Sequence, residues 1–477
     1  MTISMNAPIT IRNFGFNIPC RRFLIRANVT RDKRLPVVDE FVLRSLKICE
    51  ELPVRRIAAF FGFTPAEMER VMSDLIGSGL IAVDGDRIRL HASAHEHFRG
   101  SVDGVPHVVE LESWPIRIWF DLISKNMAAP GTRSARNLID VRPANLARDL
   151  PATYAKTAFE DNFPDYLRRV RRMPNPDRFA LYSVPEAMAE RFGSLVLPVD
   201  QDLVFDPEPR LRPNLVAIQA EDMPRLRQLA NAVLDAYRTL NYMEPSAHAL
   251  SEFSTLSANT SVTDAYRGSA TFDLPTWISL NPELDHPDRS AIVGASYLRR
   301  NIDTLVKLID SLPRPAVSVE AAPDKEIVWY RPGGTSWGCS PDLRDAVRSI
   351  KTAIRHKFGR TAIRTTLVFP EASRGRDYPR RFEGLFDAGY IAPEGFLDPS
   401  IEVLHIPGIA SLLLVNVALS PTVHIPVGFA STASEPLEKI VSKLTSLHRR
   451  LEELWREDRR EDDEPTAMEP DEDAQDD

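Results

Sequence analysis

The densest group of metal-type donors in this chain is His91, His95 and His97. His91 and His95 are one helical turn apart, which suits two ligands on one face. No nearby Cys or Asp completes the set with an open coordination position, so the stretch is expected to be a solvated helix start. Cys20, Cys49 and Cys339 lie far apart and fit neither a disulfide framework nor a zinc knuckle. Arg331-Pro-Gly-Gly-Thr-Ser-Trp-Gly338 could turn backbone N–H groups toward a phosphate, but it lacks the glycine–lysine spacing of a nucleotide loop. The sequence contains neither a Gly-x-Ser-x-Gly elbow nor a His-Glu-x-x-His helix. His405 and His424 are isolated, and each is expected to be hydrogen-bonded and partly buried. This reading assigns no catalytic residue, no metal and no cofactor.

Cations are the more abundant resource. Lys and Arg side chains grip phosphates, so the clusters define candidate nucleic-acid-binding residues. The first set is Arg55, Arg56, Thr64, Arg70, Arg87 and Arg89. The second is Arg168, Arg169, Arg171 and Arg172, at the end of an expected helix over Phe159–Arg172, where positive charge also stabilises the helix terminus. The third is Lys357, Arg360 and Arg364 at a helix–strand junction, with Arg374, Arg376, Arg380 and Arg381 on a following loop.

The elements that would position the first set are the most legible. Val38, Phe41, Val42, Leu46 and Cys49 share one helix face, and Pro53 ends that segment. Val54–Phe61 forms a short second helix closed by Gly62. Thr64-Pro65-Ala66-Glu67 is a capping box with proline at the first helical position of a third helix. Leu80–Val83 and Arg87–Leu90 then flank an Asp84-Gly85-Asp86 hairpin turn. Three helices and a two-stranded wing in this order resemble the winged-helix family. That resemblance implies a third helix laid in the major groove of DNA. Here that helix carries Glu67, Glu69 and Asp74 beside Arg70, a net acidic face that repels phosphate. A module that docks or dimerises through protein contacts fits these residues equally well.

The expected fold class is α/β and multi-domain, an N-terminal winged helix followed by a mixed α/β region. Residues 1–35 form a strand or arm, with Arg22–Val29 as its strand, and 36–100 the winged helix. Residues 101–285 form a middle α/β region, 286–455 a C-terminal α/β domain, and 456–477 a disordered acidic tail. From Glu457 onward about twelve acids face two arginines, with almost no apolar residue. That tail accounts for the formal charge of −8, and the body is near neutral or slightly basic. No apolar run reaches membrane-span length. The N-terminus shows no basic-then-apolar leader, and a reducing cytoplasm is expected.

In the middle region Val105–Ile123 reads as a strand passing into a helix. Phe179–Val184, Leu195–Val199 and Leu203–Phe205 read as separate strands, Asp222–Leu240 as a helix, and Ala247–Asp273 as weakly patterned. Beyond it, Ser296–Ser311, Pro341–Phe358 and Glu435–Trp455 read as helices. Ala316–Ala321, Glu326–Tyr330, Ile363–Phe369, Ile401–His405, Ser411–Val417 and Val423–Val427 read as strands. The run from Ile401 to Asn416, in its apolar pattern and the elements before it, is similar to the catalytic strand of phospholipase D-like nucleases. That family places His-x-Lys-x4-Asp there, often followed by a Gly-Ser segment. Laid onto it, Ile409 stands at the histidine, Ser411 at the lysine and Asn416 at the aspartate. Gly428 and Ser431 stand near the Gly-Ser segment. Isoleucine cannot attack phosphorus and serine cannot supply the lysine's charge, so the resemblance implies a catalytically dead copy.

The expected function is thus a non-catalytic, DNA-associated protein. An accessory subunit of a bacterial DNA-processing or phage-defence complex is the context that the resemblance implies. The alternatives are an interaction subunit that docks other proteins, and a nuclease or phosphodiesterase whose catalytic set the sequence does not display.

Overall fold

The computed structural model describes residues 7–33, 35–98, 106, 108–128, 135–142, 149–215, 224–241, 243–266, 270–280, 285–313, 325–359, 362–376, 378–445 and 450–457. The architecture is mixed α/β. Among the described residues no helix is long and apolar enough to cross a membrane.

The chain opens with a 25-residue strand, β1 (Ile9–Lys33). Helix α1 (Val37–Cys49), strand β2 (Glu51–Pro53) and helices α2 (Val54–Phe61) and α3 (Pro65–Gly77) follow. The hairpin β3 (Ile81–Asp84) and β4 (Arg87–Leu90) turns at Gly85, whose φ of 64° suits glycine. Strand β2 adds to β4, giving a three-stranded sheet β2-β4-β3. Leu43, Leu46, Ile57, Leu75 and Ile88 form a core drawn only from residues 35–98. Strand β5 (Val108–Asp121) then returns along β1, with Lys33 opposite Val108. The α1–β4 module is therefore an insertion at the tip of a long hairpin.

That hairpin is the centre of an elongated sheet. Short strands β6 (Met127–Ala128) and β7 (Ile139–Asp140) join it. Helices α4 (Ala152–Asp161) and α5 (Phe163–Asp165) pack on one face. Then come β8 (Phe179–Phe205), 27 residues long, and β9 (Pro209–Asn214). The order is β6-β5-β1-β8-β9, with β7 parallel to β1. At about 3.3 Å per residue, β1 spans roughly 80 Å.

Strand β1 buries Ile9 and Ile11, then Phe14, Phe16, Ile18 and Cys20, then Phe23, Ile25, Ala27 and Val29. The inward set switches from odd to even and back to odd. Register irregularities against β8 fall at both switches, between Thr10 and Arg12 and between Arg21 and Phe23. At the first the extra residue lies in β1; at the second it lies in β8 while β1 keeps its register with β5, so there the covered face changes, and a single strand serves three cores in succession. Its start packs with the C-terminal core, its middle with helix α6 (Pro224–Arg238), and its end with α4 and α5.

Helices α7 (Ala247–Ser257), α8 (Ser261–Asp264) and α9 (Leu274–Leu280) lead into the C-terminal sheet. Its elements in chain order are β10 (Asp285–His286), β11 (Arg289–Val293), α10 (Arg299–Ser311), β12 (Lys325–Tyr330), α11 (Asp342–Phe358) and β13 (Ile363–Phe369). They continue with β14 (Ala388–Ile391), β15 (Ile401–Ile406), β16 (Ala410–Ser420), β17 (Val423–Ser431), α12 (Ser434–Thr445) and β18 (Glu452–Arg456). The order is β10-β11-β17-β16-β15-β12-β13-β14-β18. Strands β12, β13 and β14 run parallel, and the other pairings are antiparallel. Helices α10 and α11 pack on one face, α7 and α12 on the other. Covered on both sides, β15 is buried at all six residues.

Several sequence expectations change. Among its described residues Val105–Ile123 holds no helix: Ile116, Ile118 and Phe120 are buried on alternate positions, a strand period. The three strands expected between Phe179 and Phe205 are one, because Pro185 and Pro198 lie inside β8 without ending it. Ala247–Asp273 contains α7 and α8. Glu435–Trp455 divides into α12 and β18, where the Trp455 ring lies against Gly389, which has no side chain to exclude it. The strand expected at Ala316–Ala321 and the tail from 458 lie outside the described residues.

Candidate nucleic-acid interface and the His405 cavity

The module holds the first set of cations in one small unit. Arg55 and Arg56 start α2, Arg70 lies on α3 and Arg89 on β4. All four are exposed and form no ion pair among the described residues. Arg87 pairs with Glu51 at 3.3 Å. Thr64 is consumed by its own helix: its Oγ1 accepts from the Glu67 amide and donates to the Glu67 carboxylate at 2.9 Å. Hydrogen bonds from the Thr64 backbone and side chain hold the Glu67 carboxyl below its ordinary range. The α3 surface thus remains acidic, with Glu69 and Asp74 exposed beside Arg70. Val37, Phe41 and Ile48 lie exposed along α1 at 68%, 44% and 82%, spacings that put them on one face.

The second set is not at an α-helix end. Tyr166–Val170 is a π-helical turn, and Arg172 follows in the left-handed region at φ 53°. Phe159, Phe163, Tyr166 and Leu167 are all buried in one cluster there, which places the arginines on the outside. Arg168 pairs with Asp177 at 3.2 Å and Arg169 with Asp165 at 3.9 Å. Arg171 lies 4.1 Å above the Trp114 ring. Much of this patch is already matched within the molecule.

In the third set, Lys357 donates to the Asp310 carbonyl at 2.6 Å. Arg374 reaches Glu452 at 2.8 Å and Glu371 at 3.6 Å. Arg376, Arg380 and Arg381 are exposed, with no ion pair among the described residues. Arg364 is exposed on β13, opposite Glu326 of β12. Arg360 lies outside the described residues. The three sets belong to different packing units.

Isolated features of the sequence acquire surroundings in the fold. His91 Nδ1 meets Ser93 Oγ at 2.7 Å on an exposed 3-10 turn, Ala92–Phe98. Among the described residues no three His, Cys, Asp or Glu side chains gather as a metal site. The glycine-bearing loop plugs the interior. Arg331 is fully buried, with the Tyr378, Trp337, Phe369 and Phe382 rings within 5.1–6.0 Å of its guanidinium carbon. The Gly333 amide donates to the Pro399 carbonyl and is thereby engaged. Glu402 is buried, accepts from Ser296 and from the Trp329 indole, and burial pushes its carboxyl up. A small cavity of about 40 Å³ lies between Arg12, Tyr297, Glu402 and Asn416.

The phospholipase-like positions fall on the β15–β16 hairpin. Ile409 is buried in its turn, Ser411 pairs with His405 on one side and Ser431 on the other, and Asn416 lies further along β16. His405 departs from expectation. It is 1% exposed, and neither ring nitrogen has a hydrogen-bond partner among the described residues. Leaving such a group unpaired costs about 1–3 kcal/mol. Burial pushes its pKa down to about 4, so the ring is neutral near pH 7.

His405 borders a cavity of about 490 Å³. Its floor is the sheet, through Glu326 and Val328 of β12, Arg364, Thr366 and Val368 of β13, and Tyr390 of β14. Its roof is Val441, Leu444 and Thr445 of α12, with Leu451. Glu326 accepts from Thr366 Oγ1 at 2.8 Å. Sequence reading missed this set because its members come from four strands and a helix. The one local signal was a lone histidine inside the apolar run Ile401–Ile406. No protein-family model, no curated protein and no solved structure matches this chain.

Proposed function

We propose that this chain is a non-catalytic, DNA-associated protein. In this reading residues 36–90 are a winged helix, carried at the tip of a long β arm. The C-terminal sheet is a phospholipase D-like domain that has lost its nucleophile, with Ile409 and Ser411 at the two key positions. The observation that carries the reading is the set of exposed arginines without ion pairs among the described residues, Arg55, Arg56 and Arg89, within one module. Acidic α3 faces away from this role, so contact with phosphate falls to α2 and the wing. Such a protein fits as an accessory subunit of a bacterial DNA-processing or phage-defence complex.

The test is binding of a labelled duplex by anisotropy across a salt series. Arg55→Ala/Arg56→Ala/Arg89→Ala is expected to weaken binding by at least about tenfold and to flatten the log–log salt slope by roughly 2–3. Wild-type protein that binds no duplex at low salt would defeat the reading.

A second reading, protein docking through the module, is favoured by the exposed Val37, Phe41 and Ile48 on α1. It expects the arginine variant to leave complex formation unchanged.

A further inference from the structure

The third set of cations and the acidic stretch after Glu457 are separate in sequence, and the fold brings them to one edge of the C-terminal sheet. Strand β18 is the last strand there and pairs with β14. Its start is held by Arg374, which reaches Glu452 at 2.8 Å. Its end is held by the turn between Phe382 and Asp387. The Trp455 indole donates to the Phe386 carbonyl at 3.1 Å, and the Glu457 amide donates to the Asp387 carbonyl at 2.8 Å. The chain therefore passes Glu457 beside the turn that follows Arg380 and Arg381. The short run from Arg381 to Asp387 bounds the distance between that exit and these arginines to about 20 Å.

Charge supplies a second observation. Four described acids around this surface are already engaged. Glu371 and Glu452 face Arg374, Glu383 faces Arg136 at 4.0 Å, and Asp387 accepts from Lys351 and Thr365. Arg376, Arg380, Arg381 and Arg456 are exposed and form no ion pair among the described residues. Residues 458–477 carry the complement: Glu461-Asp-Asp-Glu464 and Asp471-Glu-Asp473, with further acids at Asp458, Glu469, Asp476 and Asp477 against Arg459 and Arg460. One exposed ion pair is worth little, but four arginines against a run of acids act together.

We propose that residues 458–477 dock on the surface formed by Arg376, Arg380, Arg381 and Arg456, and so close it to other polyanions. A stretch of that length can extend up to about 70 Å, well beyond the separation to be crossed. Tethered to the same chain, it meets the surface at an effective concentration on the order of 1 mM. A contact as weak as about 0.1 mM therefore leaves roughly nine molecules in ten docked. A nucleic acid gains this surface only by displacing the acidic stretch. Arg55, Arg56 and Arg89 belong to a different packing unit and stay open. The contact stands independently of whether the α1–β4 module binds DNA.

The experiment places one fluorophore on the full chain at Ala474→Cys in a Cys49→Ser background, since Cys20 and Cys339 are buried. Its anisotropy is read from about 20 mM to about 1 M salt, across which the reach of charge falls from tens of ångströms to about 3 Å. With the native surface the anisotropy should be high at low salt and fall by about twofold at high salt. Arg376→Ala/Arg380→Ala/Arg381→Ala/Arg456→Ala should show the low value throughout. Glu461→Gln/Asp462→Asn/Asp463→Asn/Glu464→Gln should also lower the low-salt value, and it leaves every described residue in place should the arginine variant fail to fold. Arg55→Ala/Arg56→Ala/Arg89→Ala should leave the high value unchanged. The proposal is overturned if neither the arginine nor the acid variant lowers the low-salt anisotropy, or if salt does not change it. It is overturned equally if the module variant frees the fluorophore as far as the arginine variant does.

Discussion

At the tip of the arm, Val37, Ile48 and Phe60 stand in water at 68%, 82% and 75% exposure; in the C-terminal sheet, Val415, Ile425 and Val427 are wholly buried. Both regions are rich in apolar residues, and they spend them differently. The module is a thin unit whose own core needs one side of each helix. Its remaining apolar groups face outward, as do its cations. The C-terminal sheet lies between two helical layers, so both faces of β15, β16 and β17 are inside, along with Glu402, His405 and Arg331. The exposed cations and apolar groups of the tip are therefore on the surface, whereas the polar groups of the sheet are in its interior. The contrast predicts that the sheet tolerates almost no change of volume, whereas the module responds in small steps.

The largest expected effect is at Gly428 on β17. A Cβ there would stand 2.0 Å from the Leu413 carbonyl oxygen and 3.0 Å from the Leu414 Cα. Those are backbone atoms of the neighbouring strand and cannot swing aside. Gly428→Val should cost more than about 4 kcal/mol, removing the C-terminal unfolding transition in calorimetry. The module, with its separate core, should keep its own melting signal. Loss of both signals together would show that the two regions are not independent.

A smaller effect, with a pH signature, is expected at Asp387, between β13 and β14. Burial pushes its carboxyl up, but hydrogen bonds from Thr365 and the charge of Lys351 at 3.2 Å outweigh this and hold it below its ordinary range. A depressed folded-state pKa contributes stability above the unfolded value near 3.8. That stability is lost as pH falls through the lower folded value. Asp387→Asn should lower stability by about 1–2 kcal/mol at neutral pH. It should also reduce the loss between pH 4 and more acid conditions, read by urea unfolding across pH. An unchanged acid limb would remove Asp387 from the account.

What the sequence displayed follows the same division. The module's boundaries are local chemistry: the Thr64–Glu67 cap, the Gly62 stop and the Asp84-Gly85 turn each act within four residues. They could be read one after another. Strand β1 could not, because its inward phase changes twice, and the elements that cover it, β8 with α6 and then α4 and α5, lie more than 100 residues away. Strand β8 was hidden by Pro185 and Pro198, which usually end strands. Pro198 is tolerated here opposite Gly15 within the arm. The His405 cavity was invisible for the same reason. Glu326, Thr366, Tyr390 and Leu444 become its neighbours only once β12 has paired with both β13 and β15. The cations were legible one by one, but their partners were not: Glu452 lies 78 residues after Arg374 and yet neutralises it.

The mildest test addresses the module alone. Thr64 and Glu67 satisfy each other's backbone amides at 2.8 Å and 3.4 Å, and this fixes the start of α3. Thr64→Ala removes the acceptor for the Glu67 amide and should cost about 1 kcal/mol. The loss should appear in the module's transition and leave the C-terminal transition where it was. The same substitution frees the Glu67 carboxylate from the hydroxyl, so it should not improve contact with phosphate. If duplex binding by Thr64→Ala instead fell as far as with the Arg55/Arg56/Arg89 variant, the start of α3 would be part of the contact surface. The division of labour between an acidic α3 and a basic α2 and wing would then have to be redrawn.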